Sequence, residues 1–402
     1  MMKNFFKKRG GRLLFFIALA FFMAALFRLV TKLTNKKESV HPSSIVFTQW
    51  WEKEEDKKIL LEIISEFESI HSDFKVILNT CSYEDLRLAL FRGTPLSDSV
   101  SPGDIIALDP LWVSELSKKE IVENVNDNQI SFINILYYNI DFLKEAGFSR
   151  PPKTRSEFLA YARFFSGNKG NPAGLAMGMN SSRGIYDDIF PWFWSAGVQL
   201  IKDGKPQVNS RPVVDCLSFL ASLYSEGLLT PQSFTAGSAE KLNAFISRKA
   251  VFAIAPASEI GFVREQLGDE AFGVTSIPVP DNYAGKSFFA ASAWTAGVYS
   301  ASAQKEKAAL FIDFLAKKTS LISDMLKAIP GNGVPPAYDT FYSKVWDIAI
   351  AGEAAQDFSG LNWLELEESF KEELSALFAG RASAAEAAGA IQKRWEDILG
   401  NR

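Results

Sequence analysis

The sequence predicts an α/β protein of two lobes, each a mixed sheet flanked by helices, with a helical C-terminal tail and a separate apolar N-terminus. Three observations predict it. The 402 residues are too many for one small core and suit two lobes of roughly 100 to 200 residues each. Strand-type and helix-type patterns alternate from Ile45 to Leu108, and the C-terminal quarter is mostly helical in pattern. The composition, 47% apolar and 22% charged, is that of a folded globular chain and argues against long low-complexity tracts.

The first elements follow from periodicity. Ile45 to Trp50 is a short β-type run, and Glu54 to Ile70 carries Leu60, Ile63, Ile64, Phe67 and Ile70 at helical spacing. Phe74 to Leu78 reads as a second strand, Tyr83 to Phe91 as a helix with Ser82 at its N-cap, and Asp104 to Leu108 as a third strand ending at Asp109-Pro110. Strands joined by helices imply crossover connections and a parallel sheet. Ile133 to Tyr138 reads as a strand and Asp141 to Ala146 as a helix closed by Gly147; Thr154, with Glu157 three residues on, forms a capping box opening the next helix. Helices are expected at about 186 to 196, 212 to 226 and 238 to 248, and strands at 251 to 255, 272 to 277 and within Ser287 to Tyr299. The tail ends in the alanine-rich helix Ala382 to Leu399.

Residues 1–40 hold nine Lys or Arg against the single Glu38, a net +8, so the formal −4 of the whole leaves −12 for the rest. An acidic body without a basic stripe excludes nucleic acid as a partner. Leu13 to Phe27 is apolar without a charge and follows Lys3, Lys7, Lys8, Arg9 and Arg12, the pattern of an export signal. With Arg28 snorkelling, the stretch 13–30 serves as a single membrane anchor; a cleaved signal peptide ending near Ala18-Leu19-Ala20 is the competing reading. The first cysteine is Cys81, too late for a lipid anchor after the apolar run. Cys81 and Cys216 fall in different predicted lobes and are expected to stay unpaired, because a bridge there would lock a hinge.

Several chemistries lack their parts. Gly285-Lys286-Ser287 resembles the end of a phosphate loop, but Pro280 stands where that loop needs glycine. His41 and His71 are the only histidines, too few for a histidine-based triad or a histidine-rich metal site. No catalytic residue, metal site or cofactor is expected. The aromatic residues carry the signal instead. Trp50 and Trp51 follow the first strand, Trp112 the third; Trp192 and Trp194 lie in Phe190-Pro191-Trp192-Phe193-Trp194, and Trp294 in a strand-like run. Side chains at the carboxyl ends of parallel strands face the crevice where open α/β sheets bind ligands. A pyranose has C–H faces and a hydroxyl rim, so aromatic plates beside Glu52, Asp109, Tyr186 and Asp187 suit it.

The run IVFTQWWEKEEDKKILLEIISEFESIHSDFKVIL and, more specifically, ILYYNIDFLKEAGFSRPPKTRSEFLAYA resemble the extracellular solute-binding proteins that serve sugar importers, with the latter's strand, helix, double proline and K-T-x-x-E-F phrase. FPWFWSAGVQLIKDGKPQVNS, RKAVFAIAP, AGVYSASAQKEKAALFIDFLA and PGNGVPPA follow in that family's order. The resemblance implies the two-lobed type II periplasmic-binding fold of the maltose-binding kind, closing over a carbohydrate and presenting it to ABC permease subunits. It implies lobe 1 at 45–135 plus 283–318 and lobe 2 at 136–282 plus 319–402, after a basic stretch, anchor and linker at 1–44. By position it implies Trp50, Trp51, Glu52, Asp109 and Trp112 on the lobe 1 side of the ligand, Tyr186, Asp187, Trp192 and Trp194 on the lobe 2 side, with Trp294 in a hinge strand and Asn332 in a glycine-rich turn. It further implies a monomer outside the cytoplasm, held at the cytoplasmic membrane by its N-terminal helix. Between Trp112 and the LYYN phrase the chain is shorter than the family's usual stretch, which leaves open a larger oligosaccharide or a non-sugar ligand. A sensory module for a membrane receptor or kinase, and a member without transport, are the alternative readings.

Overall fold

The structure is a computed structural model describing residues 44–96, 101–167, 171–289, 291–326, 328, 339–355, 358 and 360–400. The basic stretch, the apolar run 13–30 and Asn332 lie outside the described residues. Among the described residues no helix is long and apolar enough to cross a membrane.

The first lobe is built from β1 (Ser44–Gln49), α1 (Glu54–Ile70), β2 (Lys75–Thr80), α2 (Tyr83–Arg92), β3 (Ile105–Leu108) and α3 (Pro110–Lys118). β1 lies between β2 and β3 and is parallel to both, as the alternating pattern requires. Ser82 caps α2 by accepting the Asp85 N–H, and Asp109 caps α3 by accepting the Leu111 N–H at 2.9 Å, with Pro110 at the first helical position, where a missing N–H costs nothing.

After the short β4 (Val122–Glu123), the ten-residue β5 (Ile130–Asn139) carries the chain into the second lobe. There follow α4 (Ile140–Glu145), α5 (Arg155–Ser166), β6 (Ala173–Ala176), a π-helical turn (Ile185–Ile189), α6 (Phe190–Trp194), the hairpin β7 (Ile201–Lys202) and β8 (Lys205–Pro206), α7 (Arg211–Ser225), α8 (Ser238–Ile246), β9 (Ala250–Pro256), a 3₁₀ turn (Ala257–Glu259), α9 (Ile260–Leu267) and β10 (Phe272–Thr275). Then come β11 (Phe288–Phe289), β12 (Ala291–Tyr299), α10 (Lys305–Met325), α11 (Thr340–Ala351), β13 (Glu353–Ala354), α12 (Trp363–Phe378) and α13 (Ala384–Gly400).

Two strands join the lobes. The first part of β5 pairs antiparallel with the first part of β12, from Ile130↔Trp294 to Ile133↔Ala291. The remainder of β5 belongs to lobe 2, antiparallel to β9 on one edge and β10 on the other, while the remainder of β12 returns to lobe 1, antiparallel to β3. Strand alternation sorts the core: Ile45, Phe47, Ile105, Phe311 and Ile322 fill one face of the lobe 1 sheet, and Ile133, Ile135, Tyr137, Phe272 and Phe341 one face of lobe 2. The remaining apolar cluster runs from Leu90 and Trp112 in lobe 1 to Phe158 and Trp192 in lobe 2. α12 also packs on α3. The lobes are shut on each other.

Three local expectations are corrected. The helix expected at 186 to 196 begins as the π turn, in which the Phe190 N–H reaches the Ile185 carbonyl; Pro191 has no N–H to continue an α-helical ladder there. Glu157 takes the Lys153 N–H at 2.8 Å, so the capping box is displaced by one residue, while Thr154 still accepts the Glu157 N–H. α10 runs unbroken to Met325 and puts Ile322 into the lobe 1 core, so a boundary at 318/319 falls inside a helix. Cys81 is half-buried and Cys216 buried; both are free thiols, and burial pushes each up to about 11.

Candidate functional site

The end of β3 delivers Asp109 to the interface between the lobes, where its carboxylate is 1% exposed. One oxygen is engaged as the α3 cap; the other accepts from the Tyr83 hydroxyl at 2.7 Å and from Arg183 Nη1. Arg183 comes from the opposite lobe, just before the π turn. Its guanidinium lies 4.8 Å from the Tyr186 ring centroid and reaches Asp187 through Nε at 3.2 Å. Asn134 on β5 donates to the other Asp187 oxygen at 3.0 Å. One buried cation therefore joins a carboxylate from each lobe, and a hinge-strand amide holds the second carboxylate in place. Around this centre Lys53 meets Glu259 at 3.1 Å, the Ser182 N–H meets Glu84 at 3.1 Å, and Lys118 meets Asn362 at 2.9 Å, each pair crossing the cleft.

Glu367 on α12 completes the charged cluster. It is 3% exposed, its Oε1 has no hydrogen-bond partner, and Lys371 stands 3.6 Å away. Burial pushes its carboxyl up to about 7, against the opposing pull of Lys371, Arg87 and Arg183. The same desolvation, reinforced by Asp109, pushes the Tyr83 hydroxyl well up, so it remains a donor at neutral pH.

The aromatic candidates divide into three groups. Trp50 stands edge-on to Tyr83 at 5.3 Å and tilts over Trp112 at 5.7 Å, with Tyr83 and Trp112 4.7 Å apart. Trp51 turns the other way, 4.5 Å from Trp294, on the far face of the sheet. Trp192 and Trp194 are fully enclosed: Trp192 packs between Phe158 and Phe219, and Trp194 against Phe190 and Tyr186. Glu52 is exposed beyond the end of β1. The structure thus brings together Trp50, Asp109, Trp112, Tyr186 and Asp187, and leaves Trp51, Glu52, Trp192, Trp194 and Trp294 outside that cluster. Sequence reasoning missed Arg183, Tyr83, Asn134 and Glu367. The i, i+4 spacing of Arg183 and Asp187 is the one local signal that points to any of them.

A cavity of about 440 Å³ adjoins the cluster on the hinge side, between α6, the 284–289 segment and α11, with Asn134 as the residue the two share. Among the described residues no group of three or more His, Cys, Asp or Glu could hold a metal ion.

Two α/β lobes, two strands running between them, and polar groups of both lobes meeting in the cleft define a hinged binding protein of the type II periplasmic class. The chain belongs to the bacterial extracellular solute-binding protein family, whose sequence profile matches residues 50–320. It is similar in fold to the GacH receptor of Streptomyces glaucescens, solved unliganded and with acarbose (16% identity, 89% of this chain and 98% of that one, TM-score 0.72). It is likewise similar to maltose-bound MalE3 of T. maritima (18%, 88% and 99%, 0.67) and to MalE of Bdellovibrio bacteriovorus bound to maltotriose (16%, 88% and 99%, 0.67). A curated relative, described as a "probable ABC transporter-binding protein" of Deinococcus radiodurans, is 28% identical over 200 residues, 42% of this chain; the match spans about half of that relative's length (47%). The family is one of extracellular solute-binding proteins.

Proposed function

We propose that the chain captures a sugar or oligosaccharide outside the cytoplasm and delivers it to the permease subunits of an ABC importer by closing its two lobes. The observation that carries this reading is the β5–β12 crossing, a two-strand hinge that lets groups from both lobes meet on one solute. Closure of this kind is driven by contacts the ligand makes only in the shut form. What the structural neighbours bind, acarbose, maltose and maltotriose, supports the ligand class. We infer that Trp50, Trp112 and Asp109 receive the solute from lobe 1 and Tyr186 and Asp187 from lobe 2, with Arg183 between them. The lobes are taken as 45–135 with 283–325, and 136–282 with the remaining tail. The apolar stretch 13–30 tethers a monomeric receptor to the cytoplasmic membrane, which raises its effective concentration at the transporter.

A test is the melting temperature and tryptophan emission of the full chain against maltose, maltotriose, acarbose and diacetylchitobiose, with amino acids as controls. A ligand at 100 times its Kd stabilises the native state by about 2.7 kcal/mol, an easily read upward shift. No response to any carbohydrate at millimolar concentration sinks the sugar reading.

A further inference from the structure

One guanidinium links carboxylates of both lobes in the cleft. Asp109 and Asp187 both meet the Arg183 guanidinium, and Glu367 Oε1 faces the Lys371 ammonium at 3.6 Å, with Arg183 and Arg87 also within electrostatic reach. Arg87 also stands 3.8 Å from Glu84. Asp188, the next carboxylate along the chain, is satisfied separately by Lys241 at 2.8 Å and the Gly178 N–H. Arg183 therefore holds Asp109 across the cleft and Asp187 on its own lobe, with Glu367 within electrostatic reach and itself beside Lys371.

A solute that reaches Asp109 from the cleft has to displace the Arg183–Asp109 contact. Moved off Asp109, the guanidinium keeps Asp187 on its own lobe and has Glu367 within electrostatic reach, so the arginine is not stranded. Asp109 is stranded unless the solute replaces the lost charge, because a buried carboxylate stripped of its cation is strongly destabilising. A hydroxyl supplies a donor and no charge; a protonated amine supplies both. The rings of Trp50, Tyr83 and Trp112 grouped beside Asp109 add faces suited to sugar C–H groups and to a cation. We propose that the solute recognised here is an amino sugar, its ammonium taking the seat on Asp109 and Tyr83 that Arg183 holds in this structure. The proposal rests on the sugar-capture reading and narrows it to a charge class.

The test uses two disaccharides with the same rings: chitobiose with free amines and its N,N′-diacetyl form. Calorimetric titration of the full chain below neutral pH keeps the amines protonated. The free amine is expected to bind about tenfold tighter or better, the margin between a charge-assisted and a neutral hydrogen bond. Asp109→Asn is expected to bring the two sugars to parity. Should Asp109→Asn fail to fold by circular dichroism, Tyr83→Phe removes one acceptor contact more gently and is expected to narrow the same gap. Equal or tighter binding of the diacetyl sugar or of maltotriose by the natural sequence overturns the proposal while sugar capture stands. An amine advantage that survives Asp109→Asn overturns it as well. If no sugar of either kind binds, both readings fall together.

Discussion

The two walls of the cleft are made of different material. Lobe 1 contributes rings, with Trp50, Tyr83 and Trp112 grouped around one carboxylate. Lobe 2 contributes charge, with Arg183, Asp187 and Glu367, while its own conspicuous indoles, Trp192 and Trp194, are sunk into the core behind that surface. Backbone context produces the difference. Residues that follow a parallel strand are delivered to the carboxyl edge of the sheet, where Asp109 and Trp50 had to emerge. A helix instead turns its side chains through every direction, and in α6 the rings face inward while Arg183, before the π turn, faces the opposite lobe. An aromatic cluster in sequence therefore announces a ligand wall when strand ends carry it, and a core when a buried helix does.

The largest expected effect breaks or upholds that contrast directly. Trp192→Ala removes a fully enclosed ring between Phe158 and Phe219 and is expected to destabilise by about 3–5 kcal/mol in chemical denaturation. Trp50→Ala, at a half-buried ring, is expected to cost roughly 1–2 kcal/mol and to show its main effect in solute affinity. A Trp192→Ala protein of unchanged stability that had lost binding would place that ring on the ligand wall after all, and the contrast would collapse.

The legibility of the sequence follows the same division. The parallel β2-β1-β3 sheet, the Ser82 cap, the Asp109 turn and the helix-rich tail were readable because each is specified by local pattern. The hinge was half readable: Ile133 to Tyr138 and Trp294 were placed in strands, but which part of each strand pairs with which lobe depends on partners more than a hundred residues away. Neighbouring tryptophans point to both Asp109 and Asp187 in the sequence, and the structure brings the two carboxylates to one guanidinium, though only Asp109 lies beside tryptophan rings there. Arg183 and Glu367 look like ordinary members of solvated helix faces in sequence. Their burial depends on elements distant in sequence, and nothing local to residue 183 or 367 records it.

A middle-sized effect sharpens the charged side of the comparison. Glu367 titrates at about 7 in the folded protein because burial outweighs the pull of Lys371, Arg87 and Arg183, against 4.5 for the free side chain. Between those values the folded state holds a proton that the unfolded state has released. Stability is therefore lost as pH rises from about 4.5 to 7 and stays lower above that, by on the order of 3 kcal/mol. Glu367→Gln cannot titrate, so the difference in unfolding free energy between the two proteins should move in the mutant's favour from pH 5 to pH 8. Two parallel profiles would mean that the carboxylate ionises freely and that the lobe 2 wall is wetter than its geometry indicates.

The smallest effect separates two buried indoles that differ only in what their N–H groups meet. Trp395 on α13 donates to the Leu366 carbonyl at 3.1 Å and to the Ser369 hydroxyl at 3.0 Å, tying the tail to α12. The Trp192 N–H is buried without a partner. Replacing either ring by Phe removes a similar volume, so the packing loss is shared and the comparison isolates the donor. At Trp395 the change removes two hydrogen bonds and leaves the Ser369 hydroxyl and Leu366 carbonyl bonded to each other at 2.8 Å; at Trp192 it removes a donor whose desolvation was never compensated. Trp395→Phe is expected to cost about 1 kcal/mol more than Trp192→Phe in urea unfolding. If the two variants fall equally, the Trp192 N–H has a partner in solution. The nearest candidate would be water entering from the cleft, and Trp192 would then lie closer to the solute than its packing against Phe158 and Phe219 implies.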